Sequence, residues 1–255
     1  MSKSFIEWVG ERSAPPLGSW LAAASPTTAE ALGWAGFDFL IVDLEHAPLE
    51  TAQAIEMLRA IAATPAQAVL RVADNDPVLI KRALDIGAPS LMIPFVQSAD
   101  DARAAVRASF FPPKGARGAT MLHRASRYGN DSDYAVTAND GVSLIAEIES
   151  LEAVAQLEAI AAVEGIGALF VGIVDLAADM GHPGRVTAPQ VLAEIKTIAR
   201  RCRAAGIPCG TAAPSIDFAR RCIGYGFSFV TIASDLGLMM SAARSAISEL
   251  KERES

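Results

Sequence analysis

Short runs of apolar, β-branched or aromatic residues recur along the chain at Leu17–Ala22, Phe37–Asp43, Gln67–Val72, Ser90–Pro94, Val142–Ile148, Ala168–Gly172, Ile207–Thr211 and Phe227–Ala233. Their length and composition predict eight strands. Between most of them lie alanine-rich stretches whose apolar residues return every three or four positions, at Leu49–Ala62, Pro77–Ile86, Asp100–Ser109, Leu151–Ala161 and Pro189–Ala205. Each is closed by glycine or proline and predicts a helix. The tail Ser234–Ser255 reads as a final amphipathic helix. Strands that alternate with helices are parallel, because each helix carries the chain back to the same end of the sheet. Eight such units in 255 residues predict one domain over residues 1–255, a (β/α)8 TIM barrel, with an open doubly wound sheet as the alternative.

One segment breaks the rhythm. Phe110–Gly141 is too long for a simple connection and carries Pro112, Pro113, Gly115, Gly118 and the stretch RYGNDSDY. It is expected to be an elaborated loop or lid at the barrel mouth.

Charge and composition narrow the partners. The chain has 22 basic and 29 acidic residues, a net charge of −7, so no excess of cations is available for a phosphate backbone, and nucleic acid is not expected as a partner. Cys202, Cys209 and Cys222 are odd in number and lack C-x-x-C spacing, which disfavours both a disulfide framework and a zinc knuckle. The first residues hold charge and no long apolar run, and no stretch approaches eighteen apolar residues. A cytoplasmic protein without membrane contact is the expectation.

Barrel active sites lie at the C-terminal ends of the strands, so the polar residues at those ends are the candidates. The second strand ends in VDLEH, with Asp43, Glu45 and His46; the third ends at Arg71; the fifth ends in AEIES, with Glu147 and Glu149; the sixth runs into GIVDL, with Asp175. Glu147 and Glu149 are two apart on a strand and face the same way, a crowding of carboxylates that a cation or protons must offset. Glu149 and Asp175 could give two hard oxygen ligands, leaving the other positions around Mg2+ or Mn2+ to water and a chelating 2-oxo acid. The other reading of the pair is structural, and Asp175 in particular suits a helix N-cap. His46 could act as a base with Asp43 fixing its tautomer, or be a solvated loop residue. Arg71 could meet a substrate oxyanion, pair with Asp43 or Glu147, or do both. The lysines Lys3, Lys81, Lys114, Lys196 and Lys251 avoid the predicted strands, which disfavours a Schiff base. The ends of the seventh and eighth strands, GTAAPS and ASDLG, lack a glycine-rich phosphate turn, and Asp235 would repel an anion there.

The segments GFDFLIVDLEHAPLE, RV-x-x-ND-x-x-x-IKRALDIGA, IPFVQSADDA, FFPPKGARG, AEIES-x-x-AV, EGIGALFVGIVDLAADMGHPG and FVTIASDL, in this order and spacing, resemble the HpcH/HpaI aldolase family over residues 17 to 245. The resemblance implies a class II pyruvate aldolase that cleaves 4-hydroxy-2-oxo acids, such as 2-oxo-heptanedioate or deoxy-aldarate derivatives, to pyruvate and an aldehyde. It implies a homo-hexamer, a trimer of dimers, with the terminal helix packed on a neighbouring subunit. Carried over by motif, Glu149 and Asp175 bind a divalent ion (Mg2+, Mn2+ or Co2+), Arg71 holds the pyruvyl oxygen and His46 with Asp43 forms the acid–base pair. Glu45 and Trp20 line or support the pocket. Arg124 and Arg127, in the expected lid, are candidates for the distal end of the acceptor. Two departures stand out: Glu147 where many members carry Gln, and GIVDLA in place of G-P-x-DLS, which loses a proline and a hydroxyl beside Asp175. An acyl-CoA lyase of the citrate-lyase-β type is an alternative, with Arg117, Arg124 and Arg127 as a groove for coenzyme phosphates. A barrel that binds a 2-oxo acid without turnover is another.

Overall fold

The computed structural model describes residues 4–252. Its elements, in chain order, are α1 (Phe5–Gly10), β1 (Leu17–Leu21), α2 (Pro26–Trp34), β2 (Phe39–Asp43), α3 (Thr51–Ala62), β3 (Gln67–Arg71), α4 (Pro77–Asp85), β4 (Ser90–Ile93), α5 (Ala99–Ser109), α6 (Tyr134–Gly141), β5 (Ser143–Ile148), α7 (Leu151–Ala155), α8 (Leu157–Ala161), β6 (Ala168–Val171), α9 (Ile173–Asp179), α10 (Pro189–Ala204), β7 (Cys209–Ala213), α11 (Ile216–Tyr225), β8 (Phe229–Ser234) and α12 (Asp235–Glu252). The eight strands are parallel and close into a barrel in sequence order, β1 pairing with both β2 and β8. The open-sheet alternative is thereby excluded.

The inside of the barrel is filled by alternate residues of the strands. Phe39, Ile41, Val69, Met92, Ile145, Ala168, Phe170 and Phe229 form one buried cluster there, bordered by Trp20 and Ala212. Glycine makes room for the rings: a Cβ on Gly210 would come within 2.1 Å of the Phe229 ring. The opposite faces of the same strands pack against the surrounding helices, where Leu40, Val42, Leu70, Leu91, Leu144 and Leu169 are buried with the apolar stripes of helices such as α3, α4, α5 and α10. Two buried faces explain why these strands read as nearly continuous apolar runs.

The helix α1 closes the N-terminal end of the barrel. Phe5 meets the rings of Phe39 and Phe229 at centroid distances of 5.3 and 5.5 Å, and Ser4 with Glu7 forms a capping box at its start. This foot is sealed with apolar rings, so polar chemistry is confined to the other end.

Several sequence expectations are corrected. The segment Phe110–Gly141 is not a lid at the mouth. It links the end of α5 to the start of β5, and in a parallel barrel both lie at the foot. Its contacts agree: Ala125 N–H donates to the Asp85 carbonyl, Arg124 donates to the Ile86 carbonyl at 2.7 Å, and Arg117 pairs with Asp85, all at the C-terminal end of α4. Part of the segment, Tyr134–Gly141, is helical. The predicted helix Leu151–Ala161 breaks at Gln156 into α7 and α8. Helices α1, α2, α9 and α11 were not anticipated.

The last helix leaves the barrel. Between α11 and α2, where an eighth helix would complete the outer ring, α12 makes its main contacts with α2, β1 and β8. Leu236, Met239, Met240, Ile247 and Leu250 remain exposed along it. No helix among the described residues is long and apolar enough to cross a membrane, and Cys202, Cys209 and Cys222 are free and buried.

Candidate active site

The strand ends opposite α1 carry the polar groups, and adjacent strands bring them together. Asp43 and Arg71 are register partners across β2 and β3. Arg71 Nε donates to Asp43 Oδ1 at 2.9 Å and Nη2 donates to Oδ2 at 2.8 Å, a two-point pair with both side chains buried. The remaining nitrogen, Nη1, lies 2.7 Å from Glu45 Oε2 and 3.5 Å from Glu147 Oε2. Neither of those oxygens accepts a hydrogen bond in the described residues, so these are charge contacts only. The flat face of the guanidinium rests on Trp20, its carbon 4.4 Å from the indole centroid.

These surroundings fix the charge states. Burial would lower the Arg71 pKa, but the hydrogen bonds to Asp43 and the charges of Glu147, Asp43 and Glu45 overcome it and hold the guanidinium ionised more firmly than usual. Glu147 is 1 % exposed; burial, then the neighbouring Glu149, push its pKa well above the ordinary carboxylate range, against the pull of Arg71. Burial also raises Glu45, opposed chiefly by Arg71. Glu149 is pushed up to about 7, by burial first and then by the charges of Asp175 and Glu45.

The pair Glu149 and Asp175 fits a divalent cation. Glu149 Oε2 accepts the Phe95 N–H at 3.1 Å, which anchors the carboxylate to the end of β4. Phe95 reaches this position with φ +54, a left-handed conformation that is strained for a bulky side chain. On the other side Glu149 crosses directly over Gly172, where a Cβ would come within 2.4 Å of Oε1. Only glycine leaves that path open. Asp175 lies in the first turn of α9 and does not cap it, because Gly172 holds the N-cap position; its exposed carboxylate has no hydrogen-bond or ion-pair partner among the described residues. No group of three or more Asp, Glu, His or Cys is arranged as a metal site among the described residues. Two carboxylates with open positions suit a hard cation that keeps water or a chelating substrate, rather than one caged by protein.

The structure separates other expected groups. Asp43 does not touch the His46 imidazole; its Oδ1 accepts the backbone N–H of Glu45 at 3.0 Å and of His46 at 3.4 Å, and the rest of it is occupied by Arg71. Glu45 is the nearer carboxylate, Oε2 being 4.0 Å from His46 Nε2, and the imidazole is 67 % exposed. Arg124 and Arg127 belong to the foot segment and are not brought to this cluster, and neither is Arg117, whose buried guanidinium pairs with Asp85 and the Tyr134 hydroxyl. No cationic groove for coenzyme phosphates is formed by these three at the mouth. Asp235 binds the N–H groups of Ala22 and Ala23 and the Thr28 hydroxyl, tying the β1–α2 loop down and filling the place where an anion would sit. Sequence reasoning missed Phe95, Gly172 and Thr231, the acceptor at 2.8 Å for the Trp20 indole N–H.

The carboxylate crowding has a consequence for stability. Without a cation, the folded chain keeps a proton on Glu149 between its ordinary value of 4.5 and about 7, where the unfolded chain has lost it. The stability tied to that proton is present below the unfolded value and is lost as pH rises through about 7, a loss on the order of 3 kcal/mol. Denaturant titrations of cation-free protein should therefore show stability falling from about pH 5 to about pH 8, with Glu149→Gln flattening the fall and Mn2+ reversing it in the wild type. A wild-type stability that stays level over that range contradicts the assignment.

Comparison with known proteins identifies the family. The HpcH/HpaI aldolase/citrate lyase family model matches residues 17–242. The chain is 47% identical over 244 residues to a 2-dehydro-3,6-dideoxy-6-sulfogluconate aldolase of Pseudomonas putida, covering 96% of each. It is 42% identical over 236 residues to a 5-keto-4-deoxy-D-glucarate aldolase of Salmonella arizonae, covering 92% of each. A crystal structure of a family protein from Burkholderia cenocepacia superposes with a TM-score of 0.94 at 38% identity, covering 98% of this chain and 100% of that one. With the family model and both relatives spanning nearly the whole barrel, the chain belongs to the HpcH/HpaI aldolase/citrate lyase family.

Proposed function

We propose that this carbon–carbon lyase reversibly cleaves a 4-hydroxy-2-oxo acid to pyruvate, or a close 2-oxo acid, and an aldehyde, using a divalent cation (Mg2+, Mn2+ or Co2+) held by Glu149 and Asp175. The observation that carries the reading is Arg71: a buried, permanently charged guanidinium at the strand ends, beside two carboxylates that converge without a cation of their own. A bound divalent ion would supply Lewis acidity at the substrate's 2-oxo group.

The chain's own groups account for the rest. Asp43 fixes Arg71 through Nε and Nη2, so the Nη1 hydrogens, outside hydrogen-bond geometry with Glu45 and Glu147, remain available to an oxyanion. In cleavage a base takes the proton from the C4 hydroxyl, the C3–C4 bond breaks, and its electron pair passes into the enolate of the 2-oxo acid. Arg71 holds the negative oxygen, and a proton delivered to C3 makes the methyl group of pyruvate. His46 is the base and the proton donor, its exposed imidazole facing the mouth beside Glu45. No lysine of the described residues lies in a strand, which supports an enolate over a Schiff base. Both relatives named above are called after sugar acids, which favours a substrate of that class. Glu147, 3.5 Å from Arg71, adds a carboxyl to the pocket where other members carry Gln.

We further propose a homo-oligomer, a hexamer built as a trimer of dimers, with α12 seated on a neighbouring subunit. The apolar side chains left uncovered on α12 and the place left open between α11 and α2 support it. Light scattering should give a multiple of the chain mass, and a chain ended after Ser234 should lose that state; a full-length monomer contradicts the assembly.

The catalytic reading is tested without any aldehyde. With Mn2+ or Mg2+ the enzyme should exchange the methyl protons of pyruvate with D2O, followed by proton NMR. Arg71→Ala should depress exchange and aldol cleavage together by roughly 10²–10³-fold, the loss expected when one oxyanion-stabilising donor is removed. Wild-type exchange in Arg71→Ala refutes the role given to Arg71, and no exchange by wild-type enzyme refutes the pyruvate enolate.

A further inference from the structure

We infer that Thr231 is a positioning residue for the reaction, acting on Arg71 through the indole of Trp20. The inference rests on the reading that Arg71 holds the substrate oxyanion. Nε and Nη2 of that guanidinium are bonded to Asp43, and Nη1 lies near Glu45 and Glu147 without a hydrogen bond to either. These contacts fix the plane's position but leave it free to tilt about the bond to Asp43. The Trp20 ring, 4.4 Å from the guanidinium carbon, is the surface that resists tilting.

The indole must itself be held. Its edge meets Phe170 at 5.8 Å and 79°, and its only polar atom, Nε1, donates to Thr231 Oγ1 at 2.8 Å. Thr231 is wholly buried, so water cannot replace its hydroxyl as the acceptor. The two residues come from opposite ends of the chain and are not register partners: Gly18 pairs with Thr231, whereas Trp20 pairs with Ser234. Two steps along β1 thus match three along β8. The extra residue is accommodated at a bulge in which Ala233 takes φ +54. Bulges beside active sites re-aim side chains, and a strained alanine is retained here where Thr231 meets the indole.

Thr231→Val keeps the shape and removes the acceptor, leaving a buried indole N–H unpaired. It should lower kcat for pyruvate exchange in D2O about tenfold, within the range spanned by a lost cation–π contact, while KM changes by less than about threefold, because the oxyanion forms only during the reaction. Thr231→Ser should restore the wild-type kcat. Combining Trp20→Phe with Thr231→Val should add nothing to Trp20→Phe alone, since no N–H remains to be held. With Trp8 and Trp34 replaced by Phe, Trp20 is the sole tryptophan, and its emission should shift in Thr231→Val but not in Thr231→Ser, a readout that needs no turnover. Unchanged kcat with a shifted emission overturns the inference, as do additive effects of the two substitutions or a serine variant as impaired as valine. Wild-type enzyme that fails to exchange pyruvate protons would refute the enolate reading instead, and an unshifted Trp20 emission would refute the Thr231 contact independently of it.

Discussion

The buried guanidinium of Arg71 is the fixed point around which the mouth of this barrel is built. One permanent positive charge is placed among Asp43, Glu45, Glu147, Glu149 and Asp175. Breaking a buried pair by removing one partner leaves an uncompensated charge and costs several kcal/mol, so Asp43 and Arg71 stand or fall together. The pair also leaves a surplus of negative charge that a single arginine cannot balance. Protons on Glu147 and Glu149, or a divalent cation between Glu149 and Asp175, are the physical ways to balance it, and the proposed catalysis uses the second.

The rest of the fold serves this arrangement by separating apolar from polar ends. Phe5, Phe39, Phe170 and Phe229 seal the foot and middle of the barrel, which keeps water from reaching the carboxylates from below. Left-handed backbones at non-glycine residues occur in the foot segment, at Arg127 and Tyr128, and beyond the strand ends or within the last strand, at Ala24, Phe95 and Ala233. Phe95 and Ala233 each support a neighbour of Arg71: one anchors Glu149, the other lies in the bulge that brings Thr231 to Trp20.

Much of this was legible in the sequence because barrel geometry is periodic. Two-residue spacing placed Glu147 and Glu149 on one face, and the strand ends named Asp43, Arg71 and Asp175 before any contact was known. The foot position of Phe110–Gly141 was legible too, since a segment between a helix and the following strand must lie at the N-terminal end; its length and glycines pointed instead to a lid. The orientation of His46 was not legible, because a loop imidazole is aimed by contacts rather than by period. Nor was the Trp20–Thr231 contact, which joins residues 211 apart through a bulge that no local pattern marks. The short helix α1 carried a signal that was passed over, serine and glutamate three residues apart ahead of an apolar face.

In the proposed mechanism, the surplus of carboxylates around Arg71 forms a cation site shared with the 2-oxo acid. Electron paramagnetic resonance titration of the protein with Mn2+ measures this directly. Each chain should bind a single Mn2+, pyruvate should tighten the binding by at least about tenfold as expected for linked ligands, and Asp175→Asn should abolish both. Absence of stoichiometric Mn2+ binding, or binding that neither pyruvate nor Asp175→Asn alters, would contradict it.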